Sequence, residues 1–223
     1  MQVCGLFLDF DGLICDTERA ARRSWDDAYR ELGLVFPASV WEQMAGRPDG
    51  ERVALSDLSR RLGGPVTDAV RSRRRLRKQE LSAAEPLRPG VAALITGAAR
   101  RGLALAVVSS SPRSWVEGHL LRLGVLDRFP VIVCGDEVVR RKPAPDLYYL
   151  ALRRTGLTAD RVIAFEDSAP GVQAAQAAGL PCIAIPNGAS GATDLSHATL
   201  VLGSLESYRL DVAPTLTKEA ATA

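Results

Sequence analysis

In the segment LFLDFDGLICDTE, from Leu6 to Glu18, an apolar run turns acidic at once. Asp9 and Asp11 flank Phe10, and Asp16 and Glu18 follow. Carboxylates beside a buried strand cost free energy unless something positive offsets them. Residues two apart on a strand point the same way, about 6–7 Å apart, so Asp9 and Asp11 can share a pocket if the strand persists that far. Three later apolar runs also lead into reactive side chains. One ends in Ser109-Ser110-Ser111. One is followed by Gly135-Asp136-Glu137 and then Arg141-Lys142-Pro143. One ends in Glu166-Asp167-Ser168. With Glu166 or Asp167 opposite the first pair, repulsion raises the carboxyl pKa values unless a cation is present. Oxygen-only ligands suit a hard cation, and a few carboxylates plus a substrate phosphate suit Mg²⁺. The two histidines, His119 and His197, have no zinc-like spacing.

The elements that must position these groups show a regular rhythm. Apolar runs of strand length lie at Gly5–Phe10, Leu103–Ser109, Val131–Cys134, Val162–Phe165, Cys182–Ile185 and Thr199–Leu202. Helical patterns separate most of them, and several close on a glycine: Gly102, Gly124, Gly156, Gly179. Strand, helix, glycine, strand is the order of a parallel α/β sheet. Such sheets bind ligands at the carboxyl ends of their strands, where the acids, the serines and the lysine all fall.

The rhythm is interrupted once. No strand pattern stands between about Thr17 and Glu85. Helical stretches there are broken by Gly33–Pro37, by AGRPDG at Ala45–Gly50, and by Gly63-Gly64-Pro65. The expected organisation is an α/β core formed by residues 1–16 and 85–223, with a helical insertion at 17–84. From about Asp211 the chain turns polar and rich in Ala and Thr, as a loose tail would.

Composition bounds the function. The 223 residues carry 28 basic and 26 acidic side chains, a net charge of +2, which gives no broad footprint for nucleic acid or a membrane surface. No apolar run reaches the roughly 18–20 residues that cross a bilayer, and no basic stretch precedes the first apolar segment. The four scattered cysteines form no CxxC pair and read as reduced thiols of a cytoplasmic protein. No obligate protein partner is evident. Cys15, close to the acidic segment, is the one thiol to weigh as oxidation-sensitive.

DFDGLICDTE resembles the first motif of the haloacid dehalogenase superfamily of phosphohydrolases. AVVSSS resembles the second, RKPAPDLY the third and FEDSAPGVQAAQAAG the fourth, in the right order and across nearly the whole chain. The insertion after the first motif is similar to the cap of the branch that contains phosphoglycolate phosphatases, sugar-phosphate phosphatases and β-phosphoglucomutase. The resemblance implies a Rossmann-like parallel-sheet core with a helical cap, and a Mg²⁺-dependent phosphatase for a small phosphorylated metabolite such as a sugar or polyol phosphate. Asp9 would be the nucleophile that becomes an aspartyl phosphate. Asp11 would protonate the leaving oxygen and then activate water. Ser109 and Lys142 would hold the phosphate oxygens. Asp9, the Asp11 main-chain carbonyl and Asp167 would bind Mg²⁺, with Glu166 assisting directly or through water.

Three positions depart from that pattern. Arg141 stands before the third-motif lysine, where the family often has a small residue. Ala21 stands where the mutase branch carries a cap histidine, which weakens the competing phosphomutase reading. Arg113 stands where a mutase relative has a phosphate-contacting Asn, and is a candidate substrate contact. In the cap, Arg47 of AGRPDG is the other candidate. The run RSRRRLRK, Arg71–Lys78, reads as a solvated helix face, and Trp25 and Trp41 read as packing residues.

Overall fold

The computed structural model describes residues 2–45, 50–188 and 194–210. Arg47 and the polar tail from Asp211 lie outside these. The sheet is built from β1 (Gly5–Leu8), β2 (Ala104–Val108), β3 (Val131–Val133), β4 (Val162–Glu166), β5 (Cys182–Ala184) and β6 (Leu200–Val201). Every pairing is parallel, in the order β3-β2-β1-β4-β5-β6. β1 is therefore central. The chain winds outward through β2 and β3, then crosses back to lay β4 on the other side of β1. The strand order reverses there, and that reversal opens a crevice beyond the carboxyl ends of β1 and β4.

All four residues of β1 are buried, because helices cover both faces. The period of two divides them. Leu6 and Leu8 join one apolar layer with Val91, Leu94 and Ile95 of α5 (Val91–Arg100) and Val116 and Leu120 of α6 (Arg113–Arg122). Phe7 joins the other, with Leu147, Tyr148 and Ala151 of α7 (Asp146–Thr155) and Val172, Ala174 and Ala175 of α8 (Ala169–Ala177). The register is fixed across three strands: Leu8 stands beside Val107 on one side and Phe165 on the other. A slip by one residue would turn the apolar side chains to the wrong layers.

Among the described residues the insertion holds four helices: α1 (Thr17–Glu31), α2 (Ala38–Met44), α3 (Gly50–Leu62) and α4 (Asp68–Ala84). Asp16 caps α1 by accepting from the Arg19 N–H at 3.1 Å, and Thr67 caps α4. Ala21, Trp25 and Tyr29 recur on one face of α1 and bury against Val40, Trp41, Leu58 and Val66. Tyr29 donates to the Ala54 carbonyl and to Asp57, both at 3.0 Å, which ties α1 to α3 inside this layer. Trp25 and Trp41 are packing residues, as expected, although both also reach the cavity described below.

The return from the insertion to the sheet is sterically demanding at Gly90, the N-cap of α5. Its φ is +87°, and a Cβ there would stand 2.5 Å from the Glu206 backbone nitrogen and 2.6 Å from the Leu205 carbonyl carbon. Backbone cannot yield as a side-chain tip can. Gly90→Ala is therefore expected to destabilise the protein by about 2–4 kcal/mol, combining a left-handed penalty with the clash. Urea denaturation should show a lower midpoint at an unchanged slope.

Candidate active site

β1 ends at Leu8, and Asp9 is the next residue. Its backbone N–H still donates to the Phe165 carbonyl at 3.0 Å, so the sheet aims Asp9 before the ladder stops. The side chain is buried and meets Lys142, whose Nζ donates to Asp9 Oδ1 at 2.5 Å, Glu166 Oε1 at 2.6 Å and the Val108 carbonyl at 2.7 Å. Three strand ends thus converge on one ammonium. Tyr148, from α7, donates its hydroxyl to the same Glu166 oxygen at 2.5 Å.

The neighbouring backbone gives way to these acids. A Cβ on Gly171, in the first turn of α8, would stand 1.8 Å from Glu166 Oε2. A Cβ on Gly12, whose φ is +86°, would stand 1.9 Å from Asp167 Oδ2. Asn187 and Arg88 both donate to the Gly12 carbonyl and hold that turn in place. Ser109 is buried one residue past β2, its N–H on the Val133 carbonyl and its Oγ accepting from the Ser111 N–H.

Asp9, Glu166 and Asp167 offer oxygens within 4.8 Å of one another. Three carboxylates face one lysine, so the cluster lacks two positive charges when all are ionised. Burial pushes the Asp9 carboxyl up to about 8 against the pull of Lys142, with Glu166 adding to the rise. Burial and then Asp9 push Asp167 well above the usual carboxylate range. Lys142 is driven the opposite way to its burial: Asp9 and Glu166 hold its pKa above the ordinary lysine value. Among the described residues, Glu166 Oε2 is a buried acceptor with no partner. A shared hard cation would answer both the charge deficit and this orphaned oxygen.

The cluster opens into a cavity of about 300 Å³ between the sheet edge and the helical insertion. Asp9, Asp11, Ser109, Lys142 and Asp167 line its floor, while Trp25, Trp41, Glu51, Arg74 and Lys78 line its roof. Asp9 and Asp11 both reach the cavity, though not through strand alternation. The strand has ended, and the Asp11 carboxylate turns to Thr17, Ser111 and Trp115.

Other expectations meet a different structure. Arg113 does not line the cavity. Its guanidinium is satisfied by Glu117 and Glu137 at 2.6 Å each and by the Ile132 carbonyl at 2.7 Å. The run Arg71–Lys78 is not uniformly a solvated face. Arg73 and Arg75 are exposed, but Arg74 is buried over the Trp25 ring with Glu51 at 2.6 Å, and both Arg74 and Lys78 face the cavity. Their i, i+4 spacing places them on one side of α4. Cys15 is fully buried and its thiol is pushed up to about 11 by that burial, the opposite of a reactive thiolate. The four cysteines are free. No helix among the described residues is long and apolar enough to cross a membrane.

A carboxyl with a raised folded-state pKa holds a proton on folding that the unfolded chain has lost, so stability falls as pH rises between the two values. For Asp9 that window runs from 3.8 to about 8. In EDTA the protein is therefore expected to melt at lower temperature near pH 8 than near pH 5. Asp9→Asn should flatten this trend and raise the melting temperature near pH 8 by ~3 °C or more. Calorimetry across the range checks both.

A family model described as "Hydrolase: haloacid dehalogenase-like hydrolase" matches residues 5–179. Among relatives, YhcW of Bacillus subtilis (strain 168) is 38% identical over 187 residues, covering 83% of this chain and 84% of that protein. The fructose-1-phosphate phosphatase YqaB of Escherichia coli (strain K12) is 32% identical over 180 residues, 80% of this chain and 94% of that one. The crystal structure of CbbY from Rhodobacter sphaeroides in complex with phosphate is 30% identical, covers 92% of this chain and 96% of its own, and superposes with a TM-score of 0.73.

Proposed function

The chain belongs to the haloacid dehalogenase-like hydrolases and is a phosphatase of that family; on that premise we propose that it hydrolyses a small sugar or polyol monophosphate through a phosphorylated Asp9, with Mg²⁺ as cofactor. The observation that carries this reading is the buried constellation of Asp9, Lys142, Glu166 and Asp167 at the floor of a cavity the size of a small metabolite. Relatives that act on sugar phosphates support the substrate class.

Asp9 would attack phosphorus, and its orientation is held in advance by Lys142 and by the backbone bond to Phe165. Lys142 and Ser109 would take the phosphoryl oxygens. The buried Ser110 hydroxyl, which has no partner among the described residues, is a further donor at the cavity wall. Asp9, Glu166, Asp167 and the Asp11 main-chain carbonyl would hold Mg²⁺, which neutralises charge between the phosphate and the nucleophilic carboxylate. Asp11 would give a proton to the departing oxygen, then take one from the water that releases phosphate from Asp9. Residues 17–84 act as a cap over the site, and Trp25 and Trp41 give its roof an apolar patch beside the charged Glu51, Arg74 and Lys78. Ala21, at the cavity wall, offers only a methyl group where a mutase of this branch would have histidine. Hydrolysis is therefore favoured over phosphate shuttling.

Phosphate release from a panel of sugar and polyol phosphates, including fructose 1-phosphate, should require Mg²⁺ and stop in EDTA. Asp9→Asn should lose activity by roughly 10³-fold or more while keeping the fold, since it removes the attacking group itself. Full turnover after verified metal removal, or by folded Asp9→Asn protein, would overturn the mechanism.

Lys142→Met tests the other half of the charge balance. It leaves the acids with no ammonium, so the metal-free protein should lose about 3–5 kcal/mol of stability. Chemical denaturation in EDTA measures the loss, and added Mg²⁺ should restore part of it.

A further inference from the structure

Trp115 lies on α6, outside the four motifs, yet its indole N–H reaches the Asp11 carboxylate. Nε1 donates to Asp11 Oδ1 at 2.9 Å. Thr17 Oγ1 donates to the same oxygen at 2.7 Å, and Ser111 Oγ donates to the other, Oδ2, at 2.6 Å. The two oxygens have different surroundings. Thr17 and Trp115, the partners of Oδ1, do not line the cavity, whereas Ser111, the partner of Oδ2, does.

The donors also differ in kind. A hydroxyl can turn and accept, so Thr17 and Ser111 tolerate either a bare or a protonated carboxyl oxygen. An indole N–H can only donate. A proton on Oδ1 would have to lie toward Thr17, and it would make that oxygen a poorer acceptor for the indole N–H, which has no other role to take. Nor can the indole swing aside easily. The His119 imidazole packs edge-on at 4.3 Å between centroids, and Lys78 Nζ from the cap lies 5.1 Å from the ring centroid. His119 is itself buried and sits 3.2 Å through Nδ1 from Arg122 Nη2.

We propose that Trp115 is a positioning residue that reserves Asp11 Oδ1 as a permanent acceptor, so that Oδ2, on the cavity side, carries the catalytic proton. This rests on the phosphatase reading above. In the first step an Asp9 oxygen bonds phosphorus and the bond from phosphorus to the leaving oxygen breaks. The electron pair stays on that oxygen, which takes the proton from Oδ2. In the second step water bonds phosphorus, the Asp9–phosphorus bond breaks with its electrons returning to Asp9, and Oδ2 recovers a proton from that water.

Trp115→Phe keeps the ring between His119 and Lys78 and removes the N–H. Loss of the proton's assignment matters most when the leaving group is a poor one. The test compares kcat/KM on p-nitrophenyl phosphate, on phenyl phosphate, whose leaving phenol has a pKa of about 10, and on fructose 1-phosphate, which releases an alcohol. The variant is expected to lose about 2-fold on the first and roughly 10- to 100-fold on the last, with phenyl phosphate between, because general acid assistance grows with leaving-group basicity. Replacing Trp115 by 3-benzothienylalanine, an isostere without the N–H, should reproduce that gradient with an unchanged melting temperature. Equal fractional losses on all three substrates, or none, would overturn the assignment and leave the phosphatase reading standing. Absence of wild-type phosphate release from all three in Mg²⁺ would bring down the phosphatase reading, and this assignment with it.

Discussion

The bond from the Lys142 ammonium to two buried carboxylates and a strand-end carbonyl is the constraint on which the site depends. An unpaired buried ion would be strongly destabilising, and so would three buried acids without a cation. Placing one ammonium between Asp9 and Glu166, and anchoring it on Val108, ties the carboxyl ends of β1, β2 and β4 together. The sheet supplies the rigid frame, since β1 is buried on both faces and flanked by two paired neighbours. The acids can then be held close without collapsing onto one another or drifting into solvent, as a site that works by electrostatic preorganisation requires.

The fold was readable in the sequence because its strands are doubly buried. Continuous apolar runs, four of them preceded by glycine-ended helices, locate the six strands among the described residues to within a residue or two. The first run reads as far as Phe10, but the ladder stops at Leu8, where Asp9 and Asp11 need room for other partners. The site was partly readable for the same reason: side chains at the ends of adjacent parallel strands must converge. Tyr148, Trp115, Gly12 and Gly171 were not, because each acts by approach from a helix or turn, which strand spacing does not encode. The glycine in EDSAPG stands five residues after Glu166, and its need for space becomes visible only once the helix folds back over that carboxylate.

Arg113 and Arg74 show how little an arginine's place along the chain says about where its guanidinium turns. Arg113 draws notice by its position after the second motif and Arg74 only as part of a basic run, yet of the two it is Arg74 that lines the cavity. Arg113 has Glu117 one turn along its own helix and Glu137 across a loop, and these neutralise it locally. Arg74 belongs to a run whose bulk is solvated, and only the rotation of α4 against α1 turns it and Lys78 inward. A linear count of basic residues carries no information on that rotation.

The three-strand register at Leu8 reaches beyond packing. Asp9 meets Lys142 and Glu166 only if β1 has settled against β2 and β4 in the correct step, since a displacement by one residue would exchange Asp9 for a hydrophobic neighbour at the sheet edge. Any anion or cation that the finished site captures therefore binds the properly paired sheet and none of its shifted alternatives. Ligand binding then acts as an inspector of folding: by mass action it draws misaligned chains toward the one pairing able to hold it.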